Sequence, residues 1–367
     1  MANASKLQTP RGSIARGADR PAGARRNRAK VGATSPSAKE RSRRKSPHVE
    51  IPAIVEPELA TLVKGAPDGD EWFHEVKFDG YRMICHVDPQ QVRFQARNKL
   101  DWTARLSELT ASVRRPKLRQ AIFDGEIVVF DEKGISRLER LHDALREAPD
   151  KIVYVIFDLL FLKGEDLRGL PLQERKEVLD SLKYPANRGP IRAAEHIVGN
   201  GGEFFDMARR HGLEGIVSKR RDRPYVSGRT GDWLKTRDRR HGDFVIGGFT
   251  DPGFEREDVG GLLVGYYDDH RDLHCAGRVG AGLTAENMGE VLARLTPLKM
   301  KESPFVDFPE LRKRVRGTHW VRPEVLAQVE FGALTKDGRL REPRFQGLRE
   351  DKSAQEATRE VARAITS

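Results

Sequence analysis

One lysine in the sequence stands where its amine could act as a nucleophile. Lys77 lies in the stretch Glu75-Val-Lys-Phe-Asp-Gly-Tyr-Arg82, directly ahead of an Asp-Gly pair, with β-like runs at 71–76 and 81–87. A lysine at a strand end can direct its amine into a cleft, where burial or neighbouring cations make it more nucleophilic. The alternative is an ordinary β-hairpin with a solvated lysine, because Asp-Gly is a favoured turn pair.

Further charged residues at the ends of predicted strands could complete such a site. Glu126 and Glu214 could hold Mg²⁺, a cation that takes oxygen ligands and often only one or two carboxylates. Lys219, Lys235 and Arg237 could bind a phosphate oxygen and, by like charge, favour the neutral amine of Lys77. Each also has a plainer interpretation as part of a solvated strand face.

An aromatic residue in the middle of a predicted strand could complete a nucleotide site. The face of Phe157 could stack on a base, worth roughly 1–3 kcal/mol. Packing in the core is the commoner role of a buried aromatic side chain. The prediction of a site therefore depends on the ordered set of residues, not on any one of them.

The elements that would position these residues are strands interleaved with amphipathic helices. A near-continuous apolar run at 153–162 predicts a buried strand. The other predicted strands of this part are 91–97, 120–130, 213–219 and 233–237, and the predicted helices are 102–113, 138–146, 172–182 and 202–211.

The composition changes near residue 241, where we place a domain boundary. Beyond it, short strands separated by Gly-rich turns, with one helix at 285–295, predict a small Greek-key barrel of the OB type. The predicted strands are 244–249, 262–267, 273–279 and 325–331, and a closing helix is expected over 352–366.

The net charge of +11 is concentrated in the first 50 residues, which hold 13 Lys/Arg against 3 Asp/Glu. Residues 1–47 have hardly any large apolar side chains, so we expect them to be disordered. They could serve as a phosphate-seeking arm or be a solvated tail without a dedicated partner. Their Arg- and Ser-rich composition also resembles a transit peptide, but Pro10 and Pro21 disfavour the amphipathic helix that such a peptide needs.

Other features of the composition exclude some classes of protein. There is no run of 18 or more apolar residues, so we expect no membrane span. Cys85 and Cys275 lie 190 residues apart and cannot supply a four-cysteine zinc site. Two cysteines in a chain of 367 residues indicate a reducing compartment.

Taken together, these stretches resemble the ordered motifs of the covalent nucleotidyltransferases, which comprise ATP-dependent DNA ligases, RNA ligases and mRNA capping enzymes. The motifs are Lys77-Phe-Asp-Gly-Tyr-Arg82, Asp124-Gly-Glu126, Phe157-Asp158, Glu214-Gly-Ile-Val-Ser-Lys219 and Trp233-Leu-Lys-Thr-Arg237. A second set is similar to the ligase module of bacterial non-homologous end-joining DNA ligases. This set contains Leu59-Ala-Thr-Leu62, Gly164-Glu-Asp-Leu-Arg-Gly-Leu-Pro-Leu172, Phe244-Val-Ile-Gly-Gly-Phe-Thr250, Ala276-Gly-Arg-Val-Gly280 and Leu348-Arg-Glu-Asp-Lys352.

The resemblance implies an α+β fold, with ATP-grasp-like antiparallel sheets and helices in a nucleotidyltransferase domain and then a β-barrel OB domain. The expected organisation is a basic tail at 1–47, the adenylation domain at 48–240, the OB domain at 241–355 and a C-terminal helix or tail at 356–367.

The resemblance also implies a chemistry that uses ATP and Mg²⁺, with Mn²⁺ as an alternative. Lys77 would attack the α-phosphate of ATP, form a lysyl-AMP phosphoramidate and release pyrophosphate. AMP would then pass to the 5′-phosphate at a nick, and the 3′-hydroxyl would displace it.

Each matching residue takes an implied role. Those grouped as catalytic with Lys77 are Asp79, Arg82 and Lys235. Glu75 is expected at the adenine amino group and Phe157 on the ring. Arg82 and Arg97 are expected at ribose, phosphate or nick, and Glu126 at ribose or metal. Near the α-phosphate we expect Lys219, Lys235 and Arg237, and at the pyrophosphate Arg349, Asp351 and Lys352. The expected metal ligands are Glu126 and Glu214.

Two departures from the family pattern limit what the resemblance implies. Arg237 stands where the family has a second lysine, which keeps the charge but changes its geometry. Ala96-Arg-Asn-Lys99 replaces a Ser-Arg-Asn-Gly pattern, which puts a local backbone contact in doubt. The polymerase and phosphoesterase modules common in that family have no room in 367 residues, so end-processing would come from other proteins.

The prediction is therefore an ATP-dependent DNA ligase that seals duplex DNA in end-joining repair. An RNA ligase or capping guanylyltransferase shares the core and stays open, as does a non-catalytic nucleic-acid-binding protein, which would require loss of the nucleophile. NAD-dependent ligases are disfavoured because their cysteine zinc site cannot be built from two cysteines. The expected partners are nicked or broken duplex DNA and a Ku-like end-binding protein. We expect a monomer in the bacterial cytoplasm, associated with the nucleoid.

Overall fold

A computed structural model describes residues 50–114, 118, 120–238, 240–251, 260–308 and 317–359. The predicted basic tail lies outside these residues, and so do residues 360–366 of the predicted closing helix. The part of that helix which is described contains only a 3₁₀ turn, Ala354–Glu356.

Strands outnumber helices in the described part of the chain. The strands are β1 (Thr61–Leu62), β2 (Trp72–Val76), β3 (Tyr81–Val87), β4 (Val92–Ala96), β5 (Ala121–Val128), β6 (Val153–Leu162), β7 (Glu165–Asp166), β8 (Ile191–Ala193), β9 (Ile197–Val198), β10 (Gly215–Arg220), β11 (Trp233–Arg237), β12 (Arg240–Thr250), β13 (Leu262–Tyr267), β14 (Leu273–Val279), β15 (Lys299–Met300), β16 (Thr318–Phe331), β17 (Ala333–Leu334), β18 (Leu340–Arg341) and β19 (Arg344–Arg349). The α-helices are α1 (Ser107–Val113), α2 (Leu138–Glu147), α3 (Leu172–Ser181), α4 (Gly201–Arg210) and α5 (Ala285–Leu295). Further 3₁₀ turns are Thr103–Leu106, Pro149–Lys151 and Thr296–Leu298.

The part of the chain before residue 239 forms two mainly antiparallel sheets. One has the order β1-β11-β10-β2-β9, and the other has the order β4-β3-β5-β6-β7 with β8 on β6. Only the pairs β1/β11 and β6/β8 are parallel among the described strands. The two sheets meet through a buried cluster that includes Ile84 and Phe157 from one sheet and Trp233 from the other.

Asp79-Gly80 does not close the ordinary β-hairpin that stood as the alternative interpretation of this stretch. β2 pairs with β9 and β10, whereas β3 pairs with β4 and β5, so the turn carries the chain from one sheet to the other. An Asp-Gly pair specifies a tight turn but does not specify that the flanking strands pair with each other. Lys77, directly after β2, therefore lies at the crossing between the sheets.

The strands after residue 239 form the predicted OB barrel, in the order β14-β13-β12-β16-β15. β19 also pairs with β16, at residues 326–330. β16 has 14 residues and is longer than predicted, because Pro323 is accommodated where the pairing register with β12 shifts between Ile246 and Gly248. Sequence analysis missed β19, which places Arg349 at its end.

Within the described ranges, none of the helices is long and apolar enough to cross a membrane.

Candidate active site

A cavity of about 620 Å³ lies where the two sheets meet the barrel. All the side chains predicted to be catalytic, nucleotide-binding or metal-binding line it, apart from Asp351: Glu75, Lys77, Asp79, Arg82, Arg97, Glu126, Phe157, Glu214, Lys219, Lys235, Arg237, Arg349 and Lys352. Asp351 is buried beside them and bonded to Arg349. The fold therefore brings together residues that are up to 277 positions apart in the chain.

The amine of Lys77 is held by a carboxylate. Its backbone N–H donates to the carbonyl of Gly215, and its Nζ donates to Glu214 Oε2 at 2.6 Å. The other oxygen, Glu214 Oε1, lies 3.7 Å from Arg237 Nε. Burial alone would raise the pKa of Glu214, but Lys77 and Arg237 lower it below its usual value. The group in direct contact with the Lys77 amine is therefore a carboxylate, not one of the cations expected around it.

Glu75 lies between two lysines. Its Oε2 accepts from Lys219 Nζ at 2.7 Å, and its Oε1 lies 2.6 Å from Lys176 Nζ. All three side chains are almost fully buried. Burial would raise the pKa of Glu75, but the two lysines lower it, while burial lowers the pKa of Lys219 against the opposing effect of Glu75. Sequence analysis missed Lys176, because nothing in an amphipathic helix distinguishes it from the other charged residues of α3.

Two aromatic rings form one wall of the cavity. Phe157 and Trp233 pack edge to face with their centroids 6.0 Å apart. Lys219 Nζ lies about 4 Å from both centroids, at 4.2 and 4.1 Å, and the Arg82 guanidinium lies 5.3 Å from each. Phe157 belongs to the core cluster between the sheets and also lines the cavity. Its stacking on a base stays a prediction.

Arg82 is fixed in orientation by its partners. It donates to both oxygens of Asp124, at 2.9 and 2.5 Å, and to the backbone carbonyl of Glu58 at 2.6 Å. A bidentate pair of this kind fixes the plane of the guanidinium as well as its position. Asp124, in the Asp124-Gly-Glu126 motif, was not predicted as a site residue, although its position on β5, the strand that pairs with the strand of Arg82, allows this contact.

Two further acids of the cavity, Glu126 and Asp79, have raised pKa values. Burial raises the pKa of Glu126 to about 7, against the opposing charges of Lys77 and Arg349. Burial, and then the charge of Glu214, raise the pKa of Asp79. Asp79 also accepts from the backbone N–H of Leu138 at 3.2 Å, at the start of α2, where a carboxylate is stabilised by the helix dipole.

Three further cations of the cavity are each paired with an acid. Lys352 Nζ donates to Asp243 Oδ2 at 2.5 Å, Arg349 makes a bidentate pair with Asp351 at 2.9 Å, and Arg97 of the first part of the chain pairs with Glu356. Burial would raise the pKa of Asp243, but Lys352 and Arg349 hold it well below its usual range.

The two departures from the family pattern have clear structures. Arg237 donates to the carbonyl of His241 at 2.6 Å while it lies beside Glu214, and its forked guanidinium lets it reach both. Lys99 adopts φ +69°, a left-handed conformation that favours glycine, and the turn is closed by its N–H on the carbonyl of Ala96. The backbone turn is therefore kept without the glycine.

Two acidic side chains of the cavity suit a magnesium ion. The described residues contain no group of three or more His, Cys, Asp or Glu side chains placed to hold a metal. Glu126 and Glu214 nevertheless line the same cavity, and Mg²⁺ is often held by one or two carboxylates together with substrate phosphates. The assignment of these two residues as metal ligands stays a prediction.

A lysine, carboxylates and paired cations line one cavity between two sheets and an OB barrel, which is the arrangement expected of a covalent nucleotidyltransferase. The family model described as "ATP dependent DNA ligase domain" matches residues 49–237, and the one described as "ATP dependent DNA ligase C terminal region" matches residues 255–352. The chain belongs to the ATP-dependent DNA ligase family.

Similar proteins agree with this assignment and with the resemblance to end-joining ligases. The multifunctional non-homologous end joining protein LigD of Pseudomonas aeruginosa is 38% identical over 92% of this chain and 40% of its own length. The multifunctional non-homologous end joining DNA repair protein LigD of Mycobacterium tuberculosis is 35% identical over 79% of this chain and 38% of its own length. This chain thus spans less than half of these relatives.

A solved structure of mycobacterial DNA ligase D complexed with ATP and MES has the same fold. It is 34% identical, with a TM-score of 0.62, and the match covers 83% of this chain and 98% of that one. The predicted fold class and the predicted family are both confirmed.

Proposed function

We propose that this chain seals breaks with a 5′-phosphate and a 3′-hydroxyl in duplex DNA, using ATP, through a lysyl-AMP intermediate and a DNA-adenylate. The observation that carries this proposal is that Lys77 lines one cavity together with the acids, cations and aromatic face that a nucleotide needs. The family and the similarity to a ligase solved with ATP support it.

In the first step, the Lys77 nitrogen attacks the α-phosphorus of ATP. A P–N bond forms, the bond from the α-phosphorus to the bridging oxygen breaks, and pyrophosphate leaves. Lys77 must lose a proton to attack, and Glu214 at 2.6 Å is the acceptor in contact with it. Chemistry of this kind depends on positioning and charge neutralisation more than on covalent help from the protein.

The other side chains bind and orient the nucleotide. Glu75 accepts from the adenine amino group, Phe157 stacks on the ring, and Lys219 and Lys235 neutralise the α-phosphate. Arg349 and Lys352 bind the pyrophosphate that leaves. Glu126 and Glu214 would hold Mg²⁺, which neutralises phosphate charge when bound.

The remaining steps give the DNA product. AMP passes from Lys77 to the 5′-phosphate at a nick, which restores the free lysine, and the 3′-hydroxyl then attacks that phosphate and releases AMP. We further propose a role in end joining with a Ku-like partner, action as a monomer, a nucleoid location and DNA attraction by the basic tail 1–47. The names of the relatives support the end-joining role, and the charge of the tail supports its attraction to DNA.

The experiment is sealing of a 5′-phosphorylated nick in duplex DNA with ATP, GTP or NAD supplied in parallel. Lys77→Ala should abolish both sealing and covalent labelling of the protein by α-labelled ATP. Lys301→Ala, a change at an exposed lysine, is the matched control and should behave as the unaltered protein.

Different outcomes separate the candidate functions. Persistent labelling of Lys77→Ala would overturn the assignment of the nucleophile. Labelling without sealing of DNA would favour an RNA ligase, tested next with a nicked RNA substrate. Labelling by GTP alone would favour a capping guanylyltransferase, and absence of labelling together with DNA binding would favour a non-catalytic protein.

A further inference from the structure

The carboxylate of Glu75 has two cations on different sides. Lys219 Nζ, 2.7 Å from Oε2, lines the large cavity together with Glu75. Lys176 Nζ, 2.6 Å from Oε1, belongs to a side chain that lines a separate cavity of about 260 Å³ beside Phe73 and His196. One lysine therefore faces the space where a nucleotide would bind, and the other lies outside it.

The two lysines differ in what else holds them. The ammonium of Lys219 lies 4.2 and 4.1 Å from the centroids of Phe157 and Trp233, on rings that line the reaction cavity. A phosphate oxygen placed in that cavity would compete with Glu75 for this ammonium. Lys176 extends from α3, is 2% exposed, and is not among the residues that line the large cavity.

If Lys219 left Glu75 and no other cation remained, a buried carboxylate would lose its partner, which is strongly unfavourable. With Lys176 in place, the carboxylate keeps an ion pair at Oε1. Its Oε2 then becomes available to accept a hydrogen bond from an amino group on the base.

We propose that Lys176 is a positioning residue for nucleotide transfer: it stays on Glu75 as a fixed counter-ion, so that Lys219 can exchange Glu75 for the α-phosphate of ATP. This inference rests on the proposed function of the cavity. Lys176, a residue of α3 outside the family motifs, would thus allow Lys219 to move from Glu75 to the phosphate. Glu75 Oε2 loses Lys219 when that lysine moves to the α-phosphate, and the same oxygen then accepts from the adenine amino group. Recognition of the adenine is therefore coupled to neutralisation of the phosphate.

The test is single-turnover formation of lysyl-AMP at saturating ATP, without DNA. Lys176→Met and Lys176→Gln should lower the rate constant about 10- to 100-fold, the size of effect that outer partners of reacting groups have. Gln can still donate a hydrogen bond to Glu75 but carries no charge, so it tests the loss of charge with less disturbance of packing. Lys301→Met, at an exposed site, is the control for loss of a lysine.

A purely structural role would give a different result. It would lower the amplitude of labelling, which reports the fraction of folded protein, and leave the rate constant of the labelled fraction unchanged. That result, or a wild-type rate in Lys176→Gln, would overturn the proposal.

A second measurement asks whether Lys176 acts through Lys219. The variant Lys219→Met should be slow by itself, and adding Lys176→Gln should change its rate less than about threefold, because the lysine that must transfer is already absent. Losses that multiply would overturn the proposed coupling. If the unaltered protein forms no lysyl-AMP, the proposed function fails. If it does and Lys176→Gln matches it, only this inference fails.

Discussion

Charged side chains in the cavity are already paired with opposite charges. Lys77 pairs with Glu214, Lys219 with Glu75, and Arg82 with Asp124. Binding of a triphosphate must therefore exchange protein carboxylates for phosphate oxygens around the same cations. Such an exchange keeps each cation neutralised, but each released carboxylate then needs another partner, as Lys176 provides for Glu75.

Near Arg82, one buried carboxyl has no such cation in direct contact within the part of the chain that the structure describes. Glu58 is fully buried and accepts hydrogen bonds from the backbone N–H of Val226 and the hydroxyl of Thr230. Burial raises its pKa to about 7. Because the unfolded chain ionises at lower pH, the folded state binds more protons between these two values. Its stability should therefore fall as the pH rises through that window.

Glu58→Gln, which cannot ionise, should remove the share of this pH dependence that Glu58 contributes, while Glu126 continues to titrate in the same range. Between about pH 5 and pH 8 the unaltered protein should lose about 1–3 kcal/mol of stability relative to the variant. Urea unfolding at several pH values measures the difference. Parallel pH curves for the two proteins would show that Glu58 does not titrate in this range.

At the scale of the elements, the turn between β2 and β3 is in close backbone contact with β5, where the chain crosses between the two sheets. A side chain on Gly80 would overlap the backbone carbonyl of Ile127 and come within 2.8 Å of Val128 Cγ1. The turn after Lys77 therefore packs directly on β5. This contact, and not hairpin pairing, explains why a glycine is required there.

Gly80→Ala should destabilise the protein by about 1–3 kcal/mol, the usual cost of overpacking. It should also slow labelling by ATP, since the turn positions Lys77. Gly65→Ala is the matched control, because no atom lies within 4 Å of a side chain added there. The measurement compares thermal unfolding and the labelling rate of both variants. Equal stability of the two would contradict the packing argument.

Sequence reasoning located the strands and helices that carry the motifs, because their periodicity and ordered residues are local signals. It placed the residues of the cavity in one site but not their partners. The pairing of Lys77 with Glu214, and of Glu75 with Lys176, depends on which strands and helices meet, and pattern alone does not specify that. The same limit explains the missed strand β19.

At the scale of the whole molecule, the barrel closes one side of the cavity through polar contacts with the first part of the chain. Tyr81 donates to the carbonyl of Leu348 at 2.9 Å, and the Asn98 backbone N–H donates to the carbonyl of Asp351 at 2.9 Å. These bonds hold the segment that carries Arg349 and Lys352 against the cavity. In the described arrangement the barrel therefore contributes Arg349 and Lys352 to the lining of the cavity.

Lys352→Gln tests whether this closed arrangement serves only the first step. Pyrophosphate is present when lysyl-AMP forms and absent when an adenylylated nick is joined, so a residue that binds pyrophosphate should matter in the first reaction alone. Lysyl-AMP formation should fall about 10- to 100-fold, while joining of a pre-adenylylated nick should change less than about threefold. Both rates are measured on the same preparation, with Lys301→Gln at an exposed site as control. Equal losses in the two reactions would contradict a role for Lys352 at the pyrophosphate. They would mean that Lys352 supports the fold, through its pairing with Asp243 at 2.5 Å, or the DNA contact.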